Sequence, residues 1–213
     1  MKCVLCNLRK GKRFCPAKRA LICAQCCGEK RVVEIDCPES CQYLVVGRAH
    51  EAEAESARHL LSSDPRKREA RARVLERFEP VVARLEYVVG QRRRAARDLK
   101  DSDVAEALDL LLATYRTEDK GVLYEHTAGG GVVEALRREL RDAVESMRHP
   151  KDGRFDSLRL ADAIACLEFI RDLVASHIEA RRSPSSYVDF LLRMVPRESA
   201  ADRAPLIVVP GQS

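Results

Sequence analysis

Eight of the nine cysteines, Cys3, Cys6, Cys15, Cys23, Cys26, Cys27, Cys37 and Cys41, fall in the first 41 residues of a 213-residue chain, and Cys166 stands alone beyond them. Sulfur at that density separates a short head from a longer remainder. The head holds too little apolar surface to fold by burial alone, so something must staple it. The chain opens Met1-Lys2-Cys3 with no apolar leader, and the expectation is therefore a reducing, cytoplasmic setting in which paired thiols bind metal instead of forming disulfides.

Zinc takes four ligands in a tetrahedron, and two thiolates set two or three residues apart supply half a site from one turn of backbone. Cys3-x2-Cys6 is such a pair, Cys23-x2-Cys26-Cys27 offers either spacing, and Cys37-x3-Cys41 is expected on the first turn of a helix that starts at Pro38. Eight thiolates divide into two tetrads. The spacing favours Cys3, Cys6, Cys23 and Cys26 on one zinc and Cys15, Cys27, Cys37 and Cys41 on a second, with exchange of Cys26 and Cys27 equally allowed. All-thiolate sites of this kind have no vacant position and serve structure. Cys166 sits among Ile164, Leu167 and Ile170 and reads as a buried, inert thiol.

These ligand pairs resemble the cross-brace double zinc fingers of the MYND and HIT kind, in which pairs alternate between two ions. Cys3-x2-Cys6, Cys23-x3-Cys27 and Cys37-x3-Cys41 match the MYND spacing, whereas Cys15 has no partner at Lys18 and Cys26 must stand in. The likeness covers about a fifth of the chain and implies a partner-binding finger without chemistry of its own. The string ICAQCCGEKRVVEIDCPESCQYL, Ile22 to Leu44, also resembles the amino-terminal signature of an uncharacterised bacterial family, which implies no activity.

Beyond the head the apolar residues repeat at helical spacing. One strand is expected inside the head, from Arg31 to Ile35, and a helix then runs from Pro38 to about Ser62. A second runs from Pro65 to about Lys100, with Val74, Phe78, Val81, Leu85 and Val88 on one face and a kink at Pro80. Ser102–Tyr115, the stretch of Val133 to Met147, a helix from Asp156 to about Arg182, and a short helix opened by Ser183-Pro184 follow. The expected fold is mainly α: a small two-zinc, treble-clef or cross-brace-like module at 1–44, an all-α helical bundle at 45–195, and a flexible tail at 196–213 whose Leu206-Ile207-Val208-Val209 could dock as an extended strand.

Composition narrows function. With 46% hydrophobic and 33% charged residues, the chain is neither wholly disordered nor membrane-spanning, and without tryptophan and with 5% aromatics it lacks a base-stacking surface. Arginine outnumbers lysine 29 to 9, a bias that points to a bacterial source. Two tetrathiolate zinc sites would lower the formal charge from +5 to +1. The leading expectation is a non-enzymatic adaptor or regulatory protein that binds a protein partner, its oligomeric state open. One alternative is a nucleic-acid-binding regulator using the basic helix at Arg84, Arg92, Arg93, Arg94, Arg97 and Lys100, with Arg9, Lys10, Lys12 and Arg13 of the head. The other is an enzyme around Tyr124, Glu125 and His126, which lie in a polar stretch ahead of Gly129-Gly130-Gly131. The glycines precede a helix but lack the residues of a phosphate-binding loop.

Overall fold

The computed structural model describes residues 1–60, 65–150, 157–180 and 183–195, with side chains throughout except at 55–60. The expected cap at Asp156 and the tail at 196–213 lie outside the described residues. Mainly helical architecture is what the periodicity predicts, and the described residues form seven helices, the first of them inside a small sulfur-rich head.

The head begins with an antiparallel hairpin of β1 (Arg13–Cys15) and β2 (Ala20–Ile22). The chain before it lies alongside, through a Lys2–Lys10 bridge and a Val4 N–H to Leu21 carbonyl bond of 3.2 Å. Gly11 permits this approach, because a Cβ there would stand 2.9 Å from both the Cβ and the carbonyl oxygen of Leu21. Helix α1 (Ala24–Lys30) follows directly. The expected strand from Arg31 to Ile35 is instead a tight turn, with the N–H groups of Glu34 and Ile35 both on the Lys30 carbonyl at 2.9 Å and Val32 at φ 64°. The β-branched Val32 and Val33 read as strand, but burial of Val32 and Ile35 among the cysteines overrides that preference.

Helix α2 (Gln42–Leu60) starts four residues later than Pro38 predicts. A turn comes first, closed by Cys41 N–H on the Pro38 carbonyl at 2.9 Å, so Cys37 and Cys41 flank the turn and do not lie on the helix. The Cys41 carbonyl then accepts from Leu44 and Val45.

The bundle consists of α3 (Pro65–Ala95), α4 (Asp101–Asp119), α5 (Gly131–Arg148), α6 (Leu160–Glu179) and α7 (Ser186–Met194). α3 breaks at Phe78 (φ −131°, ψ 21°), two residues before Pro80, whose ring displaces the carbonyl one turn back. α4 packs on α5 and α6, while α3 crosses α5, α6 and α7. The shared core includes Leu85, Val89, Leu108, Leu111, Leu140 and Ile170, all fully buried.

α7 joins the two parts. Its Val188 and Leu191 belong to the bundle core, whereas Leu192 belongs to the cluster built on the head cysteines. Glu51 of α2 receives Arg31 from the head and Arg193 Nε from α7, the latter at 2.7 Å, and Arg48 Nε donates to the Arg193 carbonyl. Arg31 lies across α2 at Gly47, where a Cβ would fall 1.5 Å from its Nη1.

Candidate metal centre

The hairpin and α1 bring two cysteine pairs together. The first sits in a knuckle closed by Cys3 N–H on the Arg9 carbonyl and Asn7 N–H on the Cys3 carbonyl, both 2.8 Å, with Asn7 in the left-handed region at φ 52° that asparagine tolerates. The second pair opens α1. Cys23 is its N-cap, and its Sγ accepts the Cys26 N–H at 3.4 Å. One sulfur from each of Cys3, Cys6, Cys23 and Cys26 lies within 4.8 Å of every other. A tetrahedral zinc with Zn–S bonds of about 2.3 Å separates its sulfurs by about 3.8 Å, so this donor set, buried except for Cys6, could hold one zinc ion.

Arg9 returns from the first knuckle to the second pair. Its Nε donates to Cys23 Sγ at 3.3 Å and its Nη2 to Cys26 Sγ at 3.6 Å. The guanidinium, followed by the Cys26 amide, holds the Cys23 thiol down to about 6, and the amides of Arg9 and Leu8 lower that of Cys6. A thiol that ionises readily is a ready metal ligand. Sequence spacing finds Cys3, Cys6 and Cys23 with either Cys26 or Cys27, and the geometry selects Cys26. Spacing gives no sign of Arg9, whose link to the sulfurs depends on how the knuckle closes.

Cys15, Cys27, Cys37 and Cys41 are all buried in the same cluster. Burial pushes the Cys37 thiol up, the Val32 N–H bonds to it, and the charges of Cys41, Cys15 and Cys27 add to the rise. Among the described residues, the group of Cys3, Cys6, Cys23 and Cys26 is the one that closes to within 4.8 Å. Cys166 is fully buried in α6 and its thiol is pushed up to about 12 by that burial, as an unreactive core residue would be.

The basic helix is largely engaged within the molecule. Arg92 pairs with Glu139 (Nε at 3.0 Å), Arg93 with Asp189 at 2.8 Å, and Arg94 donates to the carbonyls of Leu192 and Val195. Arg84 lies over the Tyr87 ring at 5.5 Å, and Arg97 and Lys100 are exposed. Arg92, Arg93 and Arg94, half of the basic side chains named on this stretch, are therefore ties between α3 and its neighbours.

Tyr124 and His126 stack edge to face at 4.7 Å. Glu125 between them binds Arg137 at 2.9 Å and also Arg141. Arg137 holds the Glu125 carboxyl below its usual range, which makes it a weak base. The stretch is anchored, with His126 N–H on Thr114 Oγ1 at 2.9 Å and Ala128 N–H on Glu134 Oε2 at 3.0 Å. That carboxylate already occupies the entry to α5 beside the three glycines.

A cluster that sequence reasoning does not single out lies under α7. The buried Asp101 carboxylate accepts the N–H groups of Tyr187 (3.0 and 3.1 Å) and Val188 (3.1 Å), and buried His177 Nδ1 lies 3.0 Å from Ser186 Oγ. The aspartate is 86 and 87 residues from the groups it caps, and no local pattern announces such a pairing.

No family model, curated protein or solved structure matches the chain. The cross-brace likeness therefore rests on cysteine spacing. No described helix is long and apolar enough to cross a membrane. The arrangement common to the sequence and the geometry is a four-sulfur cluster able to seat a zinc ion at the front of a helical protein.

Proposed function

We propose that the chain is a non-enzymatic, cytoplasmic zinc-binding adaptor that presents its head and bundle to a protein partner. The convergence of Cys3, Cys6, Cys23 and Cys26 carries this reading: four thiolates fill a tetrahedron and leave no position for substrate or water. The electrostatic commitment of Glu125 to two arginines supports it as well.

The proposal includes a second zinc on Cys15, Cys27, Cys37 and Cys41. Its support is the burial of all four and the backbone at Val32, where a β-branched residue adopts the left-handed region while its N–H meets the Cys37 sulfur. Metal analysis of the purified protein should find two zinc ions per chain, falling to one in a Cys15→Ser, Cys37→Ser double variant. Iron with visible absorbance, or one zinc in the wild type, would overturn the two-zinc assignment. For the adaptor role, tagged protein from native cells should retain a stoichiometric protein that Cys23→Ser releases. Turnover of a metabolite by the purified chain, with no such protein retained, would end the reading.

A further inference from the structure

The outer surface of the head shows a pattern that neither metal binding nor packing uses. Along the two segments joined by the Lys2–Lys10 bridge, exposure alternates: Lys2, Val4, Lys10, Lys12 and Phe14 are exposed, while Cys3, Gly11 and Cys15 are buried. Period-two alternation places the exposed set on one face of the hairpin and the sulfurs on the other. Phe14 pairs with Leu21, and the Val4 amide bonds to the same Leu21, so the apolar members adjoin across the strands. Val4 is 50% exposed, Phe14 57% and Leu8, at the knuckle tip, 81%.

Charge makes the face one-sided. Residues 1–28 contain seven lysines and arginines and no aspartate or glutamate. Lys2 and Lys10 stand directly opposite one another, an arrangement of like charges that costs stability across a strand pair. An anionic ligand on this face would remove that repulsion while covering the exposed aliphatic and aromatic groups.

We propose that this face of the head, Lys2, Lys10 and Lys12 beside Val4, Leu8 and Phe14, docks an acidic peptide segment of the partner that carries aliphatic or aromatic anchors next to its carboxylates. The inference rests on the adaptor reading and names the chemistry of its partner. A polyphosphate backbone uses the lysines but gives nothing to Val4 and Leu8, since single-stranded nucleic acid rewards aromatic platforms. A bilayer rewards an apolar tip with its cations set behind it, whereas here Lys2 and Lys10 stand opposite one another on the same exposed face as Val4 and Phe14. An extended acidic chain with apolar anchors beside its carboxylates meets both the lysines and the apolar patch along one strand.

The test uses full-length, zinc-loaded protein and a displayed library of random dodecapeptides. Enriched sequences should share two or more aspartates or glutamates flanking a Leu, Ile or Phe. A fluorescein-labelled peptide of that consensus should bind about tenfold more weakly to Lys10→Gln plus Lys12→Gln, and again to Leu8→Ser plus Phe14→Ser. Both variants should keep the wild-type zinc content and helical circular dichroism. Four results would overturn the inference: no consensus, a basic or uncharged consensus, affinity unaltered in both variants, or tighter binding to random-sequence RNA or phosphatidylserine vesicles than to the selected peptide. A consensus that ignores the head variants would remove this face and leave the adaptor reading standing, which falls only by its own test.

Discussion

Arg9 supports the four-sulfur cluster from outside it. Four thiolates around a divalent ion carry a net charge of minus two, and a guanidinium touching two of the sulfurs offsets half of it. Outer contacts of this kind typically change metal affinity by about 10–100-fold. Arg9→Ala should therefore lose zinc to a chromophoric chelator at about one tenth of the chelator concentration needed for the wild type, with Arg9→Lys intermediate because an ammonium cannot reach both sulfurs in a planar fork. Identical zinc release in all three proteins would show that the contact is incidental. At Gly47 the relevant quantity is space: Gly47→Ala should drive Arg31 off α2 and break its bonds to the Tyr43 carbonyl and to Glu51, at a cost of about 1–3 kcal/mol read from a shift in the urea midpoint.

At the scale of single elements, α7 depends on a carboxylate from the start of α4. Asp101→Ala leaves the N–H groups of Tyr187 and Val188 buried and unpaired, and should destabilise the bundle by about 1–3 kcal/mol in denaturant unfolding. Burial is the larger influence on this carboxyl and pushes it above its usual value, so the folded chain holds the Asp101 proton more tightly than the unfolded chain does. The stability linked to that proton is complete below the unfolded value of about 3.9 and fades as pH rises through the raised one. Asp101→Asn, which keeps an accepting oxygen, should retain the cap and flatten this part of the pH profile. The same element illustrates what a sequence can disclose. The apolar rows of α3 to α7 announce their helices because burial on one face requires that period, and Pro80 announces the kink because it lacks a donor. The hairpin, α1 and the turn at Val32 give no such notice, since sulfur rather than periodic apolar residues organises them. The triple arginine reads as a basic patch until its distant acceptors, Glu139, Asp189 and the end of α7, are known. Spacing, by contrast, brings Cys3, Cys6 and Cys23 together but leaves Cys26 and Cys27 interchangeable, and the fold of α1 places Cys26 in the set.

Across the whole molecule, two cores of different origin meet. The bundle rests on apolar burial, whereas the head is built around cysteines, and a structural metal bound there would supply about 10 kcal/mol or more per site. A strong chelator at neutral pH should therefore abolish amide protection in residues 1–41 while α4 and α6 keep theirs, as hydrogen exchange with mass spectrometry would record. Simultaneous loss of protection in both would mean that the head is a keystone of the bundle. The contacts of Leu192 with the cysteine cluster and of Val188 and Leu191 with the bundle make α7 common property. Anyone transplanting the sulfur-bearing head onto a foreign scaffold will have to carry this nine-residue helix along with it, although helices α3 to α6 come between the two in the order of translation.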